Sequence, residues 1–149
     1  MRQYSVDSDP DTTAKAFGFE LHCSPKDCMN LSLSLKGMTV PKAKQYLEDV
    51  IILKQAVPTR VHKRKRAHKK GMGPGSYPKK AAQYMLKILQ NAENNAEYKG
   101  FDTESMKIRH ISAYQGRVIR GIMPRAHGRA TDKNETTTNL EIILEEAEE

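Results

Sequence analysis

Met106-Lys107-Ile108-Arg109-His110-Ile111-Ser112-Ala113-Tyr114-Gln115 runs without an acidic residue into Met123-Pro124-Arg125-Ala126-His127-Gly128-Arg129-Ala130. The first segment has the period of a strand on a core, with Met106, Ile108, His110, Ser112 and Tyr114 on one face and Lys107, Arg109, Ile111, Ala113 and Gln115 on the other. The second cannot continue it as packed sheet, because Pro and Gly interrupt the run where cations gather. Ser105 to Thr131 holds six Lys or Arg and no acid. Leu140, Ile142 and Leu144, alternating with Asn139, Glu141 and Ile143, read as the returning strand. Residues 116–138 are then a long hairpin arm bending near Pro124 to Gly128. Its far end is too distant from a small body to bury itself, so an external partner must order it.

Working outward, Phe17, Phe19 and Leu21 alternate with Ala16, Gly18, Glu20 and His22, which predicts a half-buried strand. Ser24-Pro25-Lys26-Asp27 has the chemistry of a helix start: a capping Ser, Pro at the first helical position, and an acid beside the positive helix end. That helix should run to Lys36 and stop at Gly37. Val40, Ala43, Leu47, Val50 and Ile51 mark a second helix, to about Lys54, and Ala81, Met85, Ile88, Leu89, Ala92 and Ala96 a third, ended by Gly100. The expected fold is α+β: three helices packed on a small antiparallel sheet, with a long projecting β-hairpin and a basic loop insertion. One domain of 149 residues accounts for the chain, with an extended arm at 1–15, the insertion at 55–77, the hairpin arm at 116–138 and an acidic tail at 145–149.

Charge narrows the function. The net charge is +7, but removing 141–149 takes the acids from 18 to 13 and leaves all 25 Lys and Arg, so residues 1–140 carry +12. From Val50 to Ala92 there are eleven Lys or Arg and no acid. The insertion should bury nothing apolar and stay mobile until a polyanion neutralises it. A polyanion is the natural partner, and nucleic acid fits better than a membrane, since the basic runs lack the large apolar groups of an interfacial helix. No stretch has the length of a membrane span, and the N-terminus, with Asp7, Asp9 and Asp11, does not resemble a signal peptide. A cytoplasmic location follows. Cys23 and Cys28 are the only cysteines; with His22 they fall short of a closed tetrahedral metal site and read as ordinary reduced thiols.

Several motifs carry a family resemblance: Ser24-Pro25-Lys26; Lys36-Gly37-Met38 followed by Ala43 and Leu47; Asn91-Ala92-Glu93-Asn94-Asn95-Ala96; and Pro124-Arg125-Ala126-His127-Gly128-Arg129. In order, over about Phe17 to Leu144, the chain resembles the universal large-subunit ribosomal protein family that lines the peptide exit tunnel, the twenty-second of the bacterial large subunit. The longer loop at 55–77 and Pro78-Lys79-Lys80 resemble its archaeal and eukaryotic branch. The resemblance implies a non-catalytic structural protein of the large ribosomal subunit, with large-subunit rRNA, neighbouring ribosomal proteins and the nascent polypeptide as partners. It implies no cofactor, no metal and no small-molecule substrate.

On that basis Lys26, Arg60, His62, Lys63, Arg64, Lys65, Arg66, Lys69 and Lys70, with Arg117, Arg120, Arg125, His127, Gly128 and Arg129 of the hairpin, are the candidate rRNA contacts. Ile119, Gly121, Ile122, Met123 and Pro124 are the candidate tunnel-lining residues. Arginine suits the hairpin because its planar fork both hydrogen-bonds phosphate and stacks on exposed bases. Two other classes compete. A free RNA-binding regulator would use the same basic patches outside the ribosome. A small RNA-processing enzyme would need His110 or His127 as general base, and no Asp or Glu along the hairpin stands ready to orient either ring.

Overall fold

The computed structural model describes residues 4–146. In chain order these form β1 (Thr13–Leu21), α1 (Pro25–Leu35), α2 (Val40–Ile51), β2 (Val57–Pro58), β3 (His68–Lys69), β4 (Gly73–Ser76), α3 (Lys79–Tyr98), β5 (Met106–Ile119), β6 (Ile122–Pro124), β7 (Ala130–Asp132) and β8 (Glu135–Glu146). The principal sheet is antiparallel in the order β1-β8-β5, so the last strand in sequence is central. The three helices cover one face of it, and the fold is α+β as expected.

Local chemistry sets the helix ends. Ser24 caps α1 by accepting from the Asp27 amide at 3.4 Å, and Gly37, at φ +83°, turns the chain away. α2 stops at Ile51 rather than near Lys54, because Leu53 takes a left-handed conformation (φ 67°) and the amides of Lys54 and Gln55 both turn back to the Asp49 carbonyl. All six residues of the stripe expected on α3 are buried.

The faces of the edge strands differ from the simple alternation. On β1 the helix side carries Ala14, Ala16 and Gly18, while Phe17 and Phe19 point to the opposite face, where Phe19 is 51% exposed. Small residues are required there because α3 lies against β1: a Cβ on Gly18 would sit 3.0 Å from Ile88 Cδ1 and 2.9 Å from Leu21 Cδ1. A register shift between Gly18 and Leu21, with Glu20 at φ 47°, then returns Leu21 to the core. On β5 a second shift between Ile108 and His110 makes Arg109 an extra residue. Met106 and Ile108 face the helices before it, and Ile111 and Ala113 after it, so Ser112 and Tyr114 lie outward. Each bulge inserts one residue and reverses the period-two reading beyond it.

The outer face is not bare. Residues 4–12 run over it: the Ser5 amide donates to Glu141 Oε2 at 3.2 Å, Tyr4 meets Phe17 edge-on at 6.1 Å, and Lys15 Nζ donates to the Ser8 carbonyl at 2.9 Å. Burial, then the Glu141 charge, raises the Tyr4 phenol above its usual pKa. The arm expected at 1–15 thus gives way to β1 at Thr13, and its residues 1–3 lie outside the described part. Likewise Glu145 and Glu146 end β8, Glu145 accepting from Arg109 at 2.6 Å, and 147–149 lie outside the described residues.

Gly18→Val should lower the free energy of unfolding by about 2 kcal/mol, the usual range for overpacking a filled core. Denaturant titration measures it, and an unchanged midpoint would mean that α3 does not rest on this glycine.

Candidate nucleic-acid interface

The basic insertion is organised by one buried side chain. Asn30, on α1 and 4% exposed, accepts at Oδ1 from the amides of Arg60 (2.8 Å) and Val61 (3.0 Å). Its Nδ2 donates to the carbonyls of Lys26 (2.8 Å) and Val61 (3.2 Å). The far side is tied by Arg66 Nη2 donating to Asp27 Oδ1 at 2.6 Å, both side chains being partly exposed at 33% and 25%. Such a pair contributes up to about 1 kcal/mol after solvent screening, whereas stripping the partners from buried amides costs about 1–3 kcal/mol. Asn30 is therefore the principal fastening, and it escapes sequence reading because a polar residue on a helix resembles a solvated one.

Beyond those ties, β2, β4 and β3 form a three-stranded sheet in that order, with Val57 opposite Ser76 and His68 opposite Pro74. The expectation that nothing apolar is buried here fails at its start: Ala56 and Val57 are buried, Val57 within the main core. Of the candidate contacts, Arg60, His62, Lys63, Arg64, Lys65 and Lys70 are exposed. Arg66 is engaged with Asp27, and Lys69 sits with its ammonium 5.1 Å from the Tyr77 ring centroid. His62 and Lys65 hold left-handed backbone at φ 58° and 59°. These turns bend a short run into a cationic knuckle. Lys26 and His62 share one concavity with Ser24, Gln115 and Thr136, so the insertion meets the base of the hairpin there.

The hairpin is a continuation of the core sheet. The β5–β8 pairing runs outward to Ile119 opposite Glu135, past a bulge between Gln115 and Val118. It is interrupted at Arg120-Gly121 and resumes as β6 and β7, with Ile122 opposite Asp132 and Pro124 opposite Ala130. A Cβ on Gly121 would lie 2.7 Å from the Lys133 carbonyl oxygen, so glycine is what lets the two backbones lie this close at the break, where the Lys133 amide donates to the Gly121 carbonyl at 2.7 Å. The nine steps from Gln115 to Pro124 span about 30 Å at about 3.3 Å each. At the tip, Ala126 to Gly128 make one turn, with His127 at φ 58° and Gly128 at φ +69°, closed by the Arg125 amide donating to the Arg129 carbonyl at 2.7 Å.

Arg117, Arg120, Arg125, His127 and Arg129 are all exposed, as are Ile122 and Pro124, while Ile119, Gly121 and Met123 are half-buried. Arg125 Nε donates to Thr131 Oγ1 at 3.1 Å, which aims the guanidinium along the tip.

His110 corrects the expectation that no carboxylate stands near it. Glu141, across the sheet and fully buried, places Oε1 3.1 Å from His110 Nε2, and Ser5 Oγ lies 3.1 Å from the same nitrogen. A Ser-His-acid relay needs its two partners on opposite ring nitrogens. Here both meet Nε2 beneath the amino-terminal arm, so the cluster fastens the arm to the sheet. Among the described residues no group of three His, Cys, Asp or Glu is placed to hold a metal, and no helix is long and apolar enough to cross a membrane.

A small α+β body thus holds out a cationic knuckle and an arginine-bearing finger with no core of its own, a surface suited to a polyanion. Residues 16–145 match the family model described as ribosomal protein L22p/L17e. The large ribosomal subunit protein uL22 of Methanococcoides burtonii is 52% identical over 145 residues, covering 97% of this chain and 96% of its own. That of Methanopyrus kandleri is 49% identical, covering 93% and 89%, and that of Ignicoccus hospitalis is 45% identical, covering 97% of each. The chain belongs to the ribosomal protein L22p/L17e family, on its archaeal side. It is a structural, rRNA-binding constituent of the large ribosomal subunit, with rRNA and other ribosomal proteins as its partners, and it is not an enzyme.

Asn30→Ala should lower the unfolding free energy by about 2 kcal/mol and speed amide exchange selectively at Arg60 and Val61. Exchange at 60–61 no faster than in the parent would remove Asn30 from this role.

Proposed function

We propose that the knuckle and the finger divide the work of holding this protein in the cytoplasmic large subunit. Lys26, Arg60, His62, Lys63, Arg64, Lys65 and Lys70 engage rRNA phosphates around the body. Arg117, Arg120, Arg125, His127 and Arg129 do so along the hairpin, with Gly128 admitting backbone close to the RNA. Arg66 and Lys69, though cationic, serve chiefly to shape the knuckle. Ile119, Gly121, Ile122, Met123 and Pro124 face the exit tunnel and contact the nascent polypeptide. The observation that carries this reading is the finger itself: two paired strands with exposed arginines and an isoleucine 75% exposed at Ile122, far from any core. Such a surface has no reason within the isolated fold. Packed against polyanion on its flanks and a passing chain at its tip, both its charges and its apolar residues find partners.

Phosphate contacts displace condensed counterions, so affinity falls with salt in proportion to their number. Replacing Lys63, Arg64 and Lys65 together by Gln should reduce the slope of log affinity against log salt by about 2 to 3 units for large-subunit rRNA fragments. An unchanged slope would take the knuckle out of the interface. A photo-crosslinking residue at Ile122, in ribosomes stalled on a short peptide, should label the nascent chain, while one at Tyr98 on α3 should not. Labelling of rRNA alone from Ile122 would place the tip in the wall without access to the peptide.

A further inference from the structure

Cys23 and Cys28 take no part in the RNA surface, yet the fold brings them together. Cys23 ends the turn after β1 and Cys28 lies one turn into α1, and their sulfurs are 3.3 Å apart within hydrogen-bonding range. Both are free thiols and both are buried. Their environments are unequal. The hydrogen bond between the two sulfurs, with Thr138 and the nearby Lys80 charge, outweighs burial and holds the Cys23 thiol down to about 7. The same hydrogen bond, together with burial, drives the Cys28 thiol far upward. Cys23 is thus the sulfur that gives up its proton more readily, and Cys28 the one that keeps it. Cys23 also lines an open concavity with His22, Ser24, Lys80, Glu135 and Thr136, whereas Cys28 lies behind it at 1% exposure.

We propose that Cys23 and Cys28 form a peroxide-sensitive thiol pair, Cys23 the attacking sulfur and Cys28 the resolving one, closing to an intramolecular disulfide. The Cys23 thiolate attacks the outer oxygen of a hydroperoxide, ROOH; the O–O bond breaks, ROH leaves after taking a proton, and Cys23 becomes a sulfenic acid. The Cys28 sulfur then attacks the Cys23 sulfur, expelling hydroxide, which leaves as water with the Cys28 proton. Two thiols lose two electrons and two protons, and the hydroperoxide is reduced to ROH and water. The sulfurs must approach from 3.3 Å to a bond of about 2.05 Å, a small displacement at a strand end and a helix start. The bond closes across Ser24-Pro25-Lys26-Asp27, the segment that carries Lys26 and the Asp27 partner of Arg66.

The test uses the folded full-length chain treated with hydrogen peroxide, then denatured, alkylated with N-ethylmaleimide and weighed. The expected product is about 2 Da lighter than the reduced protein and carries no adduct. Trypsin should release 16–26 and 27–36 joined, and dithiothreitol should restore two adducts. In Cys28→Ser the reaction should stop at a Cys23 sulfenic acid trapped by dimedone, and in Cys23→Ser Cys28 should stay alkylatable. Two adducts on the wild-type protein, under peroxide that oxidises a free-cysteine peptide, would overturn the proposal. So would sulfinic acid at Cys23 beside an intact Cys28 thiol, or linkage between chains in place of the internal bond. None of these outcomes bears on RNA binding.

Discussion

The ladder between β5 and β8 is the constraint on which the rest of this molecule depends. Inside the body its inner face, from Met106 and Leu144 to Ala113 and Leu140, forms the floor on which the helices rest. The same backbone hydrogen bonds then run on past the last buried residue and become the shaft of the finger. A freestanding two-stranded ribbon is at best marginally stable in water. Rooted in a sheet whose central strand is paired on both sides, this one inherits its register from the core, so the direction of the finger is decided by packing some distance away.

The same logic explains how the two RNA-facing elements differ. The finger is held by continuity of backbone pairing. The knuckle is held by side chains, above all Asn30, three of whose hydrogen bonds seize the chain at 60–61 before the basic run begins. The seven cations of 55–77, with no acid among them, repel one another, and part of that repulsion is met within the fold: Arg66 finds Asp27 from α1, and Lys69 finds the Tyr77 ring. What is left exposed is a smaller set than the charge run suggests, concentrated on left-handed turns at His62 and Lys65.

Much of this was legible from residues alone. Helical stripes, caps and terminating glycines are local signals, and α1 and α3 follow them closely. The hairpin bend was legible for the same reason, since Pro124 and Gly128 announce it. The strand faces were not, because a bulge adds one residue without any compositional mark and inverts everything beyond it. Ile111, beyond the β5 bulge, lies inside, whereas Phe17 and Phe19 lie outside because α3 leaves room only for Ala14, Ala16 and Gly18 on its side of β1. Glu141 shows the other limit: its partners Ser5 and His110 are far away in sequence, and only the sheet brings them together. The interface residues themselves were readable as charge, but which of them are engaged within the fold required the structure.

The place of β8 between β1 and β5 has a consequence for the order of events during synthesis. β1 and β5 are both made before β8, and they are not hydrogen-bonded neighbours. Each must wait with an open edge, hydrophobic on one side, until the strand that joins them arrives. Over that interval the growing chain is a set of helices and two unmatched ribbons, one trailing a highly cationic segment. Such an intermediate is exposed to aggregation and to stray polyanions alike. Its assembly is therefore a race between completing its own sheet and being captured by the wrong surface.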